Sequence, residues 1–124
     1  MSKDDEVEEL VVRNLSNEGE RSTFENGYSE SVSLNEMKVT RATLESGWGV
    51  SSDESKNTND KYCQKSHYIL VVSGTLGLEL EDGAEHEVGT GSGAAIPPGH
   101  RGWTIGDDEL IYIEFQREAS SAME

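Results

Sequence analysis

Apolar residues recur along this chain at steps of two or in short runs, not at the three-and-four spacing of an amphipathic helix, so the pattern predicts strands. Leu76, Leu78 and Leu80 alternate with Thr75, Gly77 and Glu79. Asp82-Gly83 then supplies the turn residues of a tight hairpin that leads into residues 84–88. Ile111, Ile113 and Phe115 alternate with Leu110, Tyr112 and Glu114, and Met37–Leu44 reads as an earlier strand ending at the Glu45-Ser46-Gly47 turn. Residues 51–62 are polar and rich in Asn, Asp and Ser, which predicts a long loop. Short strands punctuated by glycine turns imply an all-β sandwich or barrel.

The apolar positions gather in residues 10–12, 68–80, 94–96 and 110–115, and those segments are expected to supply most of the core. At 124 residues the chain has room for one such core. Residues 1–7 read as a mobile acidic arm, 8–116 as a single domain, and 117–124 as part of a polar C-terminal tail.

Charge narrows the function. Ten Lys and Arg against twenty-five Asp and Glu give a net charge of −15, which repels nucleic acid and anionic lipid alike. Such an acidic surface also predicts a halophilic protein, because molar salt screens self-repulsion within a few ångströms. No run approaches the roughly 18 apolar residues of a membrane span, and Met1 to Glu9 lacks the basic-then-apolar pattern of an export signal. A soluble, cytoplasmic protein is the expectation. The single cysteine, Cys63, excludes an internal disulfide and leaves a core thiol, a reactive thiol or a metal ligand.

Two stretches carry a resemblance. The run from Cys63-Gln64-Lys65-Ser66-His67 through Gly74, followed by Asp82-Gly83, and the run Gly91-Ser92-Gly93-Ala94-Ala95-Ile96-Pro97-Pro98-Gly99-His100 resemble the two conserved motifs of the cupin superfamily. Ala42 to Trp48 and Trp103 to Asp107 further resemble a bacterial and archaeal cupin subgroup, mostly uncharacterised. The resemblance implies a double-stranded β-helix, the cupin or jelly-roll barrel. It also implies, as in many members, a metal held by two His and one Glu of the first motif and one His of the second. Counted back from Gly74, the two His positions fall on Cys63 and Lys65, the Glu position on His67, and the second-motif His position on Gly102. All four residues depart from that set.

Positions 63, 65 and 67 alternate onto one face of a strand, so Cys63 and His67 can both point inward, and His100 lies two residues before Gly102 on the same side of an extended chain. Cys63, His67 and His100 then form a three-ligand site whose sulfur and imidazole donors suit zinc, iron, copper or nickel. Lys65 argues against a cation there, unless a local bulge turns it outward. The competing reading makes Cys63 a small core residue, His67 a hydrogen-bonded barrel side chain and His100 a cap on the Pro97-Pro98-Gly99 turn.

Trp48 and Trp103, each beside a glycine, are expected either to wall a ligand pocket or to cover the core. Arg101 either meets a substrate carboxylate or forms an internal ion pair, and His86 reads as a solvated strand residue. The glycines between 89 and 102 are turn residues, since no Lys-Ser/Thr pair or helix follows, and no nucleotide cofactor is expected. Three functions stay open: a metal-dependent dioxygenase, isomerase or lyase acting on a small molecule; a metal-free small-molecule binding or sensing barrel; and a structural barrel that pairs as a homodimer.

Overall fold

A computed structural model describes residues 7–49 and 62–118. The acidic arm up to residue 6, most of the loop expected at 51–62, and residues 119–124 lie outside the described residues. Nine strands are present among the described residues: β1 Glu20–Phe24, β2 Gly27–Leu34, β3 Met37–Leu44, β4 His67–Ser73, β5 Leu76–Leu80, β6 Glu85–Val88, β7 Gly93–Ile96, β8 His100–Thr104 and β9 Leu110–Arg117. A one-turn helix, α1 Leu15–Glu18, precedes them, with Asn14 accepting from the Asn17 amide at its N-terminus.

The strands form two antiparallel sheets, one in the order β1-β2-β3-β9-β4-β7 and the other β6-β5-β8. Between them lies a core of Ala42, Leu44, Ile69, Val71, Leu76, Leu78, Val88, Ile96 and Leu110, of which Leu44, Val71 and Leu110 are fully buried. Strand alternation selects that set: Leu76 and Leu78 face in while Gly77 and Glu79 face out, and Leu110, Tyr112 and Glu114 face in while Phe115 faces out. The β5–β6 hairpin turns where Asp82-Gly83 predicts it. Gly83 adopts φ 91°, its amide donates to the Leu80 carbonyl, and the Ala84 amide donates to Asp82 Oδ1.

Two expectations need correction. Leu10 and Val12 are 89% and 70% exposed and belong to no core. They precede the first strand, so no cross-strand partner holds them against the barrel. Strand β9 runs to Arg117, pairing Gln116 with Lys38 and Arg117 with Met37, so the polar C-terminal residues up to 117 extend the sheet. Their backbone pairs although their side chains offer nothing to a core. No helix among the described residues is long and apolar enough to cross a membrane.

Candidate metal and ligand site

The first strand of the site begins irregularly. Residues 64–66 lie outside β4, and Cys63 is fixed by an isolated antiparallel bridge to His100. The Cys63 amide donates to the His100 carbonyl at 2.6 Å, and the Gly99 amide donates to the Cys63 carbonyl at 2.7 Å. Because the chain bends between this bridge and the start of β4, strict alternation fails. Lys65 is exposed, whereas Cys63 and His67 come together with Sγ and Nε2 3.7 Å apart. The charge that argued against a cation is thus outside the barrel.

His67 opens β4 opposite Ile96 of β7, and its Nδ1 donates to Oε2 of Glu114 at 2.5 Å. Glu114 reaches this point because it pairs with Ile69 in the β4–β9 register and faces inward. His100 opens β8 and is buried, and its Nδ1 donates to the Pro97 carbonyl at 2.7 Å across the Pro97-Pro98-Gly99 turn. Both imidazoles therefore have Nδ1 engaged, and His67 turns its Nε2 to the Cys63 thiol. Their rings meet edge to face with centroids 5.0 Å apart. The ligand atoms of Cys63, His67 and His100 all lie within 4.8 Å of one another. A tetrahedral zinc with ordinary bond lengths separates its nitrogen and sulfur ligands by about 3.5 Å, so a small inward adjustment would close the triad on one ion. The donor set fits a borderline transition metal, and the Nδ1 partners are of the kind that orient metal-bound histidines.

Charge is shared unevenly in this cluster. The Glu114 carboxylate is the main cause that lifts His67 to about 9; burial opposes it, and the hydrogen bond and charge of Cys63 add to it. Burial pushes the Cys63 thiol up, but the hydrogen bonds from His67 and the Lys65 backbone, with the charges of both residues, outweigh it and bring the thiol below its ordinary 9.0. Burial, then the charges of Glu114 and Cys63, raises Tyr112 to about 12, so its hydroxyl stays protonated.

These residues open on a cavity of about 340 Å³ between the sheets, near the lower end of the usual ligand-pocket range. Trp48, Ile69, Leu76, Leu78 and Ile96 make most of its apolar wall, and Tyr112 of β9 lines it too. Gly102, where the second-motif histidine was counted, is in the wall. A Cβ there would sit 3.2 Å from Leu76 Cδ1 and 3.3 Å from the Gly77 carbonyl, so the wall is packed down to glycine and His100, one alternation earlier, brings the imidazole.

Trp48 lines the cavity as expected of a pocket residue, and it also packs against the core. Trp103 does not line it. One residue beyond Gly102 on β8, it turns to the opposite face, and its indole fills the space a side chain at Gly77 would need. Arg101 follows the same outward alternation: its Nε donates to Glu79 Oε1 at 2.6 Å across the β5–β8 pair, and its guanidinium lies 5.8 Å from the Trp103 ring centroid. The ion-pair reading of Arg101 holds, and Arg101 is also among the residues that line the cavity. His86 is exposed on β6. Glu114 and Tyr112 escaped the sequence reading, because alternation along β9 does not say which of its two faces closes the barrel.

No protein-family model matches the sequence, and no curated protein matches it. Solved structures do. An RmlC-like cupin family protein with a double-stranded β-helix fold from Methanocaldococcus jannaschii superposes with a TM-score of 0.57 at 14% identity, covering 95% of this chain and 98% of its own. The fold is a double-stranded β-helix like that of this cupin family protein. Ectoine synthase from P. lautus gives a TM-score of 0.61 at 9% identity over 93% of this chain and 86% of that one. A mutant of Bacillus subtilis oxalate decarboxylase gives 0.59 at 20% identity, with 94% of this chain matching 34% of the enzyme. At these identities the likeness is one of architecture. The barrel of this chain carries the Cys63, His67 and His100 cluster in the wall of its cavity.

Proposed function

We propose that this cupin binds one divalent transition metal, drawn from zinc, iron, copper and nickel, through Cys63, His67 and His100, and uses the adjoining cavity to act on a small molecule. The observation that supports it most is the convergence of three ligand atoms within 4.8 Å while each imidazole is anchored at Nδ1 by an acceptor of its own. Bound there, the ion would supply Lewis acidity or redox chemistry of the kind dioxygenases, isomerases and lyases employ. The chain's own residues set the conditions. Glu114 holds the His67 ring and raises its basicity, the Pro97 carbonyl fixes His100, and the Cys63–His100 bridge locks the thiol against the second motif. The apolar wall limits water beside the cluster.

Cobalt(II) titration tests the reading. A sulfur-to-cobalt charge-transfer band is expected in the wild type and absent in Cys63→Ser, with the barrel's circular dichroism unchanged. A wild-type protein that takes up cobalt with no such band would contradict ligation by Cys63.

A second reading concerns assembly. Tyr68 and Phe115 face each other in the β4–β9 register on the outer side of the large sheet and are 64% and 42% exposed, with Leu70 beside them at 42%. Uncharged apolar surface on so acidic a chain favours pairing with a second copy, a homodimer that light scattering would weigh and Tyr68→Glu would break.

A further inference from the structure

Cys63, His67 and Glu114 stand in series. They come from distant parts of the chain: the bridge segment before β4, the first residue of β4 and the inner face of β9. Glu114 Oε2 accepts from His67 Nδ1 at 2.5 Å, and Cys63 Sγ lies 3.7 Å from His67 Nε2. The carboxylate on Nδ1 leaves Nε2 as the ring nitrogen that can exchange a proton with the thiol. A sulfur, an imidazole and a carboxylate in this order are a nucleophile, its base and the group that orients the base.

The surroundings suit that use. The backbone of Cys63 is clamped on both sides, its amide donating to the His100 carbonyl at 2.6 Å and its carbonyl accepting from the Gly99 amide at 2.7 Å. The thiol is free of any disulfide and only partly buried, and Cys63 and His67 both line the cavity of about 340 Å³. Ile69, Leu76, Leu78 and Ile96 line the same space, which has room for a short hydrocarbon chain.

We propose that Cys63 of the metal-free chain is a nucleophile for acyl transfer, with His67 as its base and Glu114 as a positioning residue, and that its substrate is a thioester with a short apolar acyl chain. The sulfur attacks the acyl carbon and forms a new carbon–sulfur bond. The old carbon–sulfur bond breaks, and the proton held between Sγ and Nε2 leaves with the departing thiol. Thiol and thioester become acyl-Cys63 and a free thiol, with no oxidant or reductant consumed. The Cys63 amide, a natural donor to a developing oxyanion, is already given to the His100 carbonyl. The site therefore suits an acyl group that arrives activated, a thioester before an amide or alkyl ester. This activity does not rest on the metal reading. An ion on Sγ and Nε2 would occupy both reacting atoms, so any one molecule does one or the other.

The test adds S-phenyl thioacetate to the full chain after chelator treatment, with acetylation followed by intact mass and located on Cys63 by peptide mapping. Acetylation is expected to saturate with thioacetate concentration and to run about 100-fold faster than in His67→Ala. Glu114→Gln is expected to lower the maximal rate at least about tenfold and leave the half-saturating concentration unchanged, a split that a general loosening of the barrel would not give. A wild-type rate no higher than that of N-acetylcysteine at the same pH would overturn the proposal, as would either variant reacting as fast as the wild type. Where a variant loses its fold by circular dichroism, the comparison with N-acetylcysteine decides alone. Zinc uptake is read separately on the same preparations by elemental analysis. A chain that takes up no zinc yet acetylates keeps the nucleophile and removes the metal, and one that binds zinc but stays unreactive after chelation does the reverse.

Discussion

The inner and outer faces of the barrel treat charge in opposite ways. On the outer face of the small sheet, Arg101 and Glu79 stand directly across β8 and β5, satisfy each other at 2.6 Å and end there. Inside, the ionisable groups form an open chain: Glu114 meets His67, His67 meets Cys63, and His100 approaches with one nitrogen unused. A closed pair stabilises and does little else. An open chain of donors and acceptors beside a cavity has capacity left for a ligand, which the closed pair lacks. Adjacent residues of one strand, His100 and Arg101, fall on the two sides of the divide.

The comparison breaks most severely at the floor of the barrel. Leu110→Ala removes a fully buried side chain that pairs with Leu44, and a loss of about 2–5 kcal/mol is expected in denaturant unfolding, with metal affinity per folded molecule unchanged.

A pH series sharpens it next. In the metal-free chain His67 keeps its proton to about 9, against 6.5 for the ordinary group. Its contribution to stability is therefore complete below 6.5 and lost as pH rises through 9. Cys63, whose thiol lies below its ordinary value, works in the opposite sense as pH nears 9. The net expectation is a decline on the order of 1–3 kcal/mol between pH 6.5 and 9. Glu114→Gln removes the main cause and should flatten it, as unfolding curves at several pH values would reveal. The same variant should weaken metal binding about 10-fold to 100-fold in chelator competition, since it frees the His67 ring without touching a ligand.

Arg101→Ala, by contrast, should cost at most about 1 kcal/mol and leave metal affinity alone, because its pair is partly solvated and on the other face. The smallest effect is global. If the acidic surface is a salt adaptation, the unfolding midpoint rises with salt concentration, and a flat series would remove that reading.

Much of the fold was legible because its signals are local. Asp82-Gly83 between two alternating runs fixes a hairpin, and Met37–Leu44 carries its own boundaries. Strands β1 and β2 were not legible: ERSTF and GYSESVSL are polar, and pairing with β3 orders them where side-chain pattern does not. At the site, the proposed ligands Cys63, His67 and His100 could be named from position and type. Their second partners could not, since Glu114 is 47 residues from His67 and only the β4–β9 register brings it there. The outward turn of Trp103 likewise depends on Gly77, a residue of another strand.

The central claim is that Cys63, His67 and His100 hold one metal ion. Elemental analysis of protein purified without a metal-affinity tag, wild type beside His67→Ala and His100→Ala, tests it most directly, with circular dichroism confirming that each variant keeps its fold. Near one transition-metal ion per wild-type chain, lost in both variants, is the predicted result. A wild-type chain free of metal even after incubation with zinc, iron, copper and nickel salts would contradict it.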